Sequence, residues 1–126
     1  MRDFNHLSLD DVIELARRLA IGPVRDLGLL DSALYRPRST AFGEDLYPSI
    51  ELKAAALLHS LVNNHALVDG NKRLSFVTVN VFCDLNGFEI ALSDDDAFNL
   101  IVEIAASDID VDSIAKRLNV IPKKHR

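Results

Sequence analysis

The chain has 126 residues, of which 48% are hydrophobic and 26% are charged, a composition typical of one globular domain. The formal net charge of −5 disfavours direct binding to DNA or RNA, since nucleic-acid-binding domains usually carry an excess of basic residues. No apolar run approaches the ~18 residues needed to span a membrane, and no secretory signal is expected. The single cysteine, Cys83, excludes an internal disulfide, and a cytoplasmic location is expected.

Helical patterns with short connections follow one another along the chain, and the absence of long apolar–polar alternation argues against a sheet. Ser8 is predicted to cap a first helix that ends at Gly22. A short second helix is predicted over residues 29–36, followed by a loop over residues 38–47. That loop could be a lid that positions a target backbone or only a connector, and we favour the lid.

Four further helices are predicted in the rest of the chain. The third covers residues 48–63, with Pro48 in its first turn, and the fourth runs from residue 70 or 71 to residue 86. A fifth helix begins after Ser93, and the last covers residues 111–118. Since the fourth helix is apolar on nearly every face, it is predicted to be the buried central helix.

The prediction is therefore a single all-α domain of about six helices over residues 1–121. The basic residues 122–126 are expected to form a flexible, solvated tail. Among the histidines outside the motif discussed below, His59 is expected to be structural, whereas His6 and His125 are expected to be solvated.

The start of the fourth helix breaks a rule of helix electrostatics. Lys72 and Arg73 lie in its first turn, although the helix dipole makes each cation there cost roughly 0.3–1 kcal/mol. The first backbone N–H groups of a helix have no intrahelical partner and point to the same rim, so the segment predicts an anion-binding pocket. A structural alternative is that Asp69 caps the helix and pairs with one of the two cations.

A candidate base and a candidate metal ligand lie beside this pocket. His65 precedes it, and an imidazole can take a proton from an attacking hydroxyl group. Asp69 could hold a Mg²⁺ ion that bridges phosphate oxygens, because one carboxylate with phosphates and waters is a normal magnesium shell. Arg25, Arg36 and Arg38 could add to the phosphate site, although the sequence does not place them.

The segment from His65 to Arg73, HALVDGNKR, resembles the signature of the Fic/Doc family, His-x-Phe-x-Asp/Glu-Gly-Asn-x-Arg. The stretches VRDLGLLDSALYRP, YP and NGFEI also resemble the Doc branch, and the resemblance covers about residues 20–118. Leu67 stands where the family has Phe, and it is expected to anchor the loop in the core in the same way.

The resemblance implies an enzyme that uses ATP and Mg²⁺ to modify a protein hydroxyl group. His65 would be the general base and Asp69 the magnesium ligand. Lys72 and Arg73 would join these two as catalytic residues. The implied nucleotide-binding set is Asp69, Gly70, Asn71, Lys72 and Arg73.

Two positions favour phosphate transfer over AMP transfer. Lys72 stands where AMP-transferring Fic enzymes have a second glycine, and Phe76 stands where they have a second arginine. Both departures are typical of Doc, in which the nucleotide is inverted and its γ-phosphate faces the target. The resemblance thus implies a toxin kinase that phosphorylates a Thr or Ser hydroxyl of elongation factor Tu and blocks translation. It also implies a Phd-type antitoxin whose disordered tail folds on binding.

Two alternatives stay open at this point. One is a Fic-type AMP or other nucleotidyl transferase, against which Lys72 and Phe76 argue. The other is a non-catalytic helical module that binds a nucleotide or an antitoxin, and the composition does not exclude it.

Overall fold

A computed structural model describes residues 3–124, and this part of the chain folds as a mostly helical bundle. The predicted fold class of about six helices is confirmed. None of the described helices is long and apolar enough to cross a lipid bilayer. The helices are α1 (Leu9–Arg18), α2 (Leu27–Tyr35), α3 (Ile50–Asn64), α4 (Asn71–Leu85), α5 (Asp94–Ala106) and α6 (Val111–Leu118).

The helix at the centre is α3 rather than α4. Helix α3 contacts α2, α4, α5 and α6, and a continuous run of its residues from Lys53 to Leu58 is buried. Its alanines Ala54, Ala55 and Ala56 are fully buried, which lets neighbouring helices approach closely. Helix α4 buries one stripe, which includes Leu74 and Phe82, and several of its other apolar side chains stay partly exposed.

Helix boundaries differ from the prediction where a capping side chain was overlooked. Helix α2 begins two residues earlier than predicted, because the Asp26 carboxylate accepts a hydrogen bond from Leu29 N at 3.0 Å. Helix α3 begins after Ser49, whose hydroxyl accepts from Leu52 N, so Pro48 precedes the helix instead of lying in its first turn.

The predicted loop at 38–47 contains a short antiparallel hairpin. Its strands are β1 (Thr40–Ala41) and β2 (Glu44–Asp45), and the turn places Phe42 and Gly43 at positive φ. A 3₁₀ turn, Arg36–Arg38, connects α2 to the hairpin. Two-residue strands are too short to show an alternating pattern, so the sequence did not predict them.

A second antiparallel pair joins β3 (Phe88–Ile90) to β4 (Val120–Pro122). Lys123 N donates to the Gly87 carbonyl at 3.0 Å, and the Lys123 side chain forms an ion pair with Asp84. The prediction of a flexible tail from residue 122 onward was therefore wrong for its first two residues. Residues 125 and 126, including His125, lie outside the described part of the chain.

The two described histidines outside the motif are both half-buried. The His6 ring lies 5.7 Å from the Phe82 ring, so the expectation that His6 is solvated was wrong. Burial, followed by the charges of Arg38 and Lys53, lowers the pKa of His6. The structural role expected for His59 agrees with its position, since its Nδ1 lies 2.6 Å from Arg36 Nη1.

Candidate active site

The six described helices do not begin alike. Five of them start at a residue whose side chain accepts a hydrogen bond from the first turn: Ser8, Asp26, Ser49, Ser93 and Asp110. The N-cap residue of helix α4 is Gly70, which has no side chain that could accept such a hydrogen bond. The first N–H groups of α4 are therefore left without a capping side chain, at the end of the helix where the dipole favours an anion.

Gly70 is required by geometry at this point. Its φ of +89° lies in the left-handed region, and an added Cβ would approach the Cβ of Ile21 to 2.7 Å. The Gly70 carbonyl accepts from Leu74 N at 2.9 Å and so starts the helical ladder. A glycine thus lets the chain enter α4 close against Ile21.

The two cations of the first turn are exposed and unpaired. No ion pair within residues 3–124 involves Lys72 or Arg73. Asp69 Oδ1 accepts a hydrogen bond from the N–H of Gly70 at 2.9 Å. Gly70 is the N-cap residue of α4, so this bond does not cap an N–H group of the first turn. The structural alternative, in which Asp69 caps the helix and neutralises a cation, does not match this arrangement.

Asn71 shapes the loop that precedes it. Its Oδ1 accepts from Leu67 N at 2.9 Å, and its Nδ2 donates to Leu67 O at 3.0 Å. The side chain of Leu67 is 2% exposed. It anchors the loop in the core, as expected for the position where the family has Phe. The side-chain amide of Asn71 therefore holds the loop, and its phosphate-binding role stays a prediction.

A second segment runs antiparallel to the motif and was missed in the sequence. We call residues 22–26 the strap and residues 65–69 the motif loop. Val24 of the strap forms an isolated antiparallel β-bridge with Leu67 of the motif loop. Main-chain hydrogen bonds of 2.7–3.2 Å also join the two segments. These bonds run from Gly22 N to Asp69 O, Val68 N to Pro23 O, and from Arg25 N and Asp26 N to Ala66 O. The motif loop is therefore fixed along its length.

His65 lies at the carboxyl end of α3 in a strained conformation. Its φ of +50° and ψ of +47° are left-handed, a state that costs of order 1–3 kcal/mol for a residue other than glycine. Its side chain is exposed beside the start of α4. Arg25 Nη2 donates to the His65 carbonyl at 2.5 Å, so one of the three candidate arginines reaches the motif.

The other two candidate arginines are engaged elsewhere. Arg36 donates to the Tyr47 hydroxyl at 3.1 Å and to Ser60 Oγ at 2.9 Å, besides its contact with His59. The Arg38 guanidinium lies over the Tyr35 ring at 5.9 Å. The structure therefore gives neither of them a contact with the motif loop.

His65 and the start of α4 line one open cleft of about 310 Å³. Its lining is Val62, His65, Val68, Asp69, Gly70, Asn71, Lys72 and Arg73, so the predicted site residues meet around one space. Asp69 Oδ2 has no protein partner within residues 3–124, which leaves it able to bind Mg²⁺. Phosphate and water oxygens would complete such a shell.

The exposed His65 thus lies beside an uncapped helix start that carries two unpaired cations, an arrangement suited to binding an anion such as phosphate. The family model described as the Fic/DOC family matches residues 6–83. A protein of Mycolicibacterium smegmatis named Toxin Doc is 47% identical over 118 residues, which cover 90% of each chain. The chain belongs to the Fic/Doc family.

Proposed function

We propose that this protein is the toxin of a toxin–antitoxin system and acts as an ATP-dependent protein kinase. Its target would be a Thr or Ser hydroxyl of elongation factor Tu, and the phosphorylation would block translation. The observation that carries the proposal is the placement of His65 beside an uncapped, doubly cationic helix start. The similarity to the relative named Toxin Doc supports the toxin part.

The positions of these groups are compatible with a phosphoryl transfer in which each has a definite role. The His65 imidazole would take the proton of the target hydroxyl while its oxygen forms a bond to the γ-phosphorus of ATP. The bond from that phosphorus to the β–γ bridging oxygen breaks, and ADP leaves. Lys72, Arg73 and the first N–H groups of α4 would stabilise the charge on the phosphates, and Asp69 would hold a Mg²⁺ ion that supplies further positive charge to them.

Two side chains support phosphate transfer over AMP transfer. Lys72 is exposed at the rim of the cleft, where it adds a positive charge. Phe76, one turn further along α4, is partly buried against the core and supplies no cation for a phosphate. Both side chains agree with the inverted nucleotide that the resemblance to Doc implies, in which the γ-phosphate would face the target hydroxyl beside His65.

The hairpin supports the lid that we favoured for residues 38–47. Its base is fixed by Lys53, a buried residue whose Nζ donates to Pro37 O at 3.0 Å and lies 3.5 Å from Asp45 Oδ2. Its tip is open, since Phe42 is fully exposed. We propose that a free edge of this two-stranded sheet pairs with the backbone of the target.

The proposal includes a protein partner and a place of action. A Phd-type antitoxin with a disordered tail would restrain the toxin, and an elongation factor Tu target would put its activity in the cytoplasm. Val68 in the cleft and Leu27 next to the strap are 61% and 53% exposed. Such exposed apolar side chains beside the site favour a protein ligand that folds onto it.

The test is transfer of label to purified elongation factor Tu from ATP that carries ³²P at either the α or the γ position. We expect label only from the γ position, and a loss of about 10²–10⁴-fold with His65→Ala. Because the His65 side chain is exposed, the variant should have the same melting temperature as the wild type. Label from the α position would replace the kinase with a nucleotidyl transferase. Growth arrest that persisted in His65→Ala cells would support the non-catalytic module.

A further inference from the structure

Arg25 makes two consecutive contacts with the motif loop. Its backbone N–H donates to Ala66 O at 2.7 Å, and its Nη2 donates to His65 O at 2.5 Å. The second contact joins residues 40 positions apart and reaches the residue that would act as base. The side chain therefore acts on the peptide that follows the catalytic imidazole.

That peptide needs an external support. The left-handed conformation of His65 is unfavourable by itself and persists only where the surroundings determine it. The main-chain bonds of the strap begin at Ala66 and continue to Asp69, so they do not reach the His65 carbonyl. The hydrogen bond from Arg25 is the one that extends the strap to His65.

A purely structural role does not account for this side chain. Arg25 is exposed, and no ion pair within residues 3–124 includes it. Removing an exposed side chain with one hydrogen bond usually changes folding stability little. Its effect should therefore appear at His65 and not in the core.

We infer that Arg25 is a positioning residue, which fixes the His65 backbone so that the imidazole is directed into the cleft. This inference rests on the proposed function, because it assumes that His65 takes the proton of the target hydroxyl. A reacting group displaced by about 1 Å can lose about 10²-fold in rate. Arg25→Ala should therefore lower kcat by about 10–100-fold.

The comparison of kcat with KM separates positioning from nucleotide binding. In phosphorylation of elongation factor Tu, Arg25→Ala should lower kcat and leave the KM for ATP within about threefold, since the transition state alone is affected. Arg25→Lys should recover part of the rate, because an ammonium can still donate to one carbonyl. A raised KM with unchanged kcat would show instead that Arg25 binds the nucleotide and would overturn the inference.

A control variant removes the same charge elsewhere. Arg117 on α6 pairs with Glu103, and its side chain is 41% exposed. Arg117→Ala should leave both constants unchanged. If His65→Ala is inactive while Arg25→Ala has wild-type kinetics, the positioning inference fails and the proposed function stands. If His65→Ala is fully active, the proposed function fails.

A structural measurement tests the inference without any activity. In Arg25→Ala, the backbone ¹³C′ resonance of His65 should move, because its carbonyl loses a donor. Hydrogen exchange at the amides of Leu67 and Val68 should rise by about tenfold as the loop loosens. An unchanged His65 resonance with unchanged exchange would overturn the inference, whatever the protein phosphorylates.

Discussion

The starts of α4 and α5 expose the same backbone N–H groups but differ in their caps and in the charges of their first turns. At α5 the Ser93 hydroxyl accepts from Asp96 N at 3.1 Å, and three aspartates occupy the first turn, where the dipole favours them. At α4 the cap is a bare glycine, followed by two exposed cations without carboxylate partners within residues 3–124. The start of α5 stabilises its own helix, whereas the start of α4 has the uncapped donors and unpaired cations that an anion-binding site would need.

The largest effect should come from closing the space at the start of α4. Gly70→Ala combines a left-handed φ with a Cβ that meets Ile21 at 2.7 Å. The strain and the overpacking together should cost about 3 kcal/mol of unfolding free energy. ATP affinity should fall by at least about tenfold, because the first turn must shift. Urea unfolding and calorimetric titration with ATP measure the two effects.

The hairpin offers a matched control for this change. Gly43 has a φ of +81°, and an added Cβ would meet nothing within 4 Å. Gly43→Ala should therefore cost only the conformational strain, about 1 kcal/mol, and leave ATP binding intact. Equal costs for the two variants would show that the contact with Ile21 does not constrain Gly70.

The second largest effect is expected from Lys72→Gln, which tests whether the cations at the start of α4 bind a ligand at a cost in stability. Lys72→Gln removes a charge that opposes the helix dipole, so the free protein should gain about 0.3–1 kcal/mol in unfolding free energy. ATP affinity should fall by about tenfold, as expected for the loss of one charged contact to phosphate. A variant that is less stable and binds ATP normally would contradict the contrast between the two helix starts.

A smaller and opposite pattern is expected at α5. Ser93→Ala removes the cap and should cost about 1 kcal/mol of unfolding free energy, whereas Ser93→Gly should cost only a few tenths. ATP affinity should not change with either substitution. Weaker ATP binding in Ser93→Ala would mean that the start of α5 also contributes to the site.

The smallest effect is a pH dependence of stability from His59. Burial, and then the charge of Arg36, lowers the pKa of His59 below its ordinary value of 6.5. As pH falls, His59 therefore takes up a proton in the unfolded chain before it does so in the folded chain. The free energy of unfolding decreases as the pH falls below this ordinary value. Urea unfolding at about pH 7.5 and pH 5.5 should show the decrease, and His59→Gln should reduce it. An unchanged pH dependence in His59→Gln would assign the decrease to other groups, such as His6.

The contiguous part of the candidate site was predictable because its chemistry is local. Misplaced cations after a glycine mark an anion site without reference to any other part of the chain. Periodicity predicted the helices for the same reason. The two sheets were missed because strands of two or three residues show no pattern, and because Val120–Pro122 pairs with a segment some 30 residues away.

The sequence by itself determined the helical fold, the motif from His65 to Arg73 and the resemblance that suggests its reaction. Only the tertiary structure decided that α3 is the central helix and that Asn71 holds the loop through Leu67. It also brought Arg25 to the His65 carbonyl across 40 residues. The physical reason is that charge, capping and periodicity act between neighbours in the chain, whereas the support of a strained backbone depends on which distant segment packs beside it.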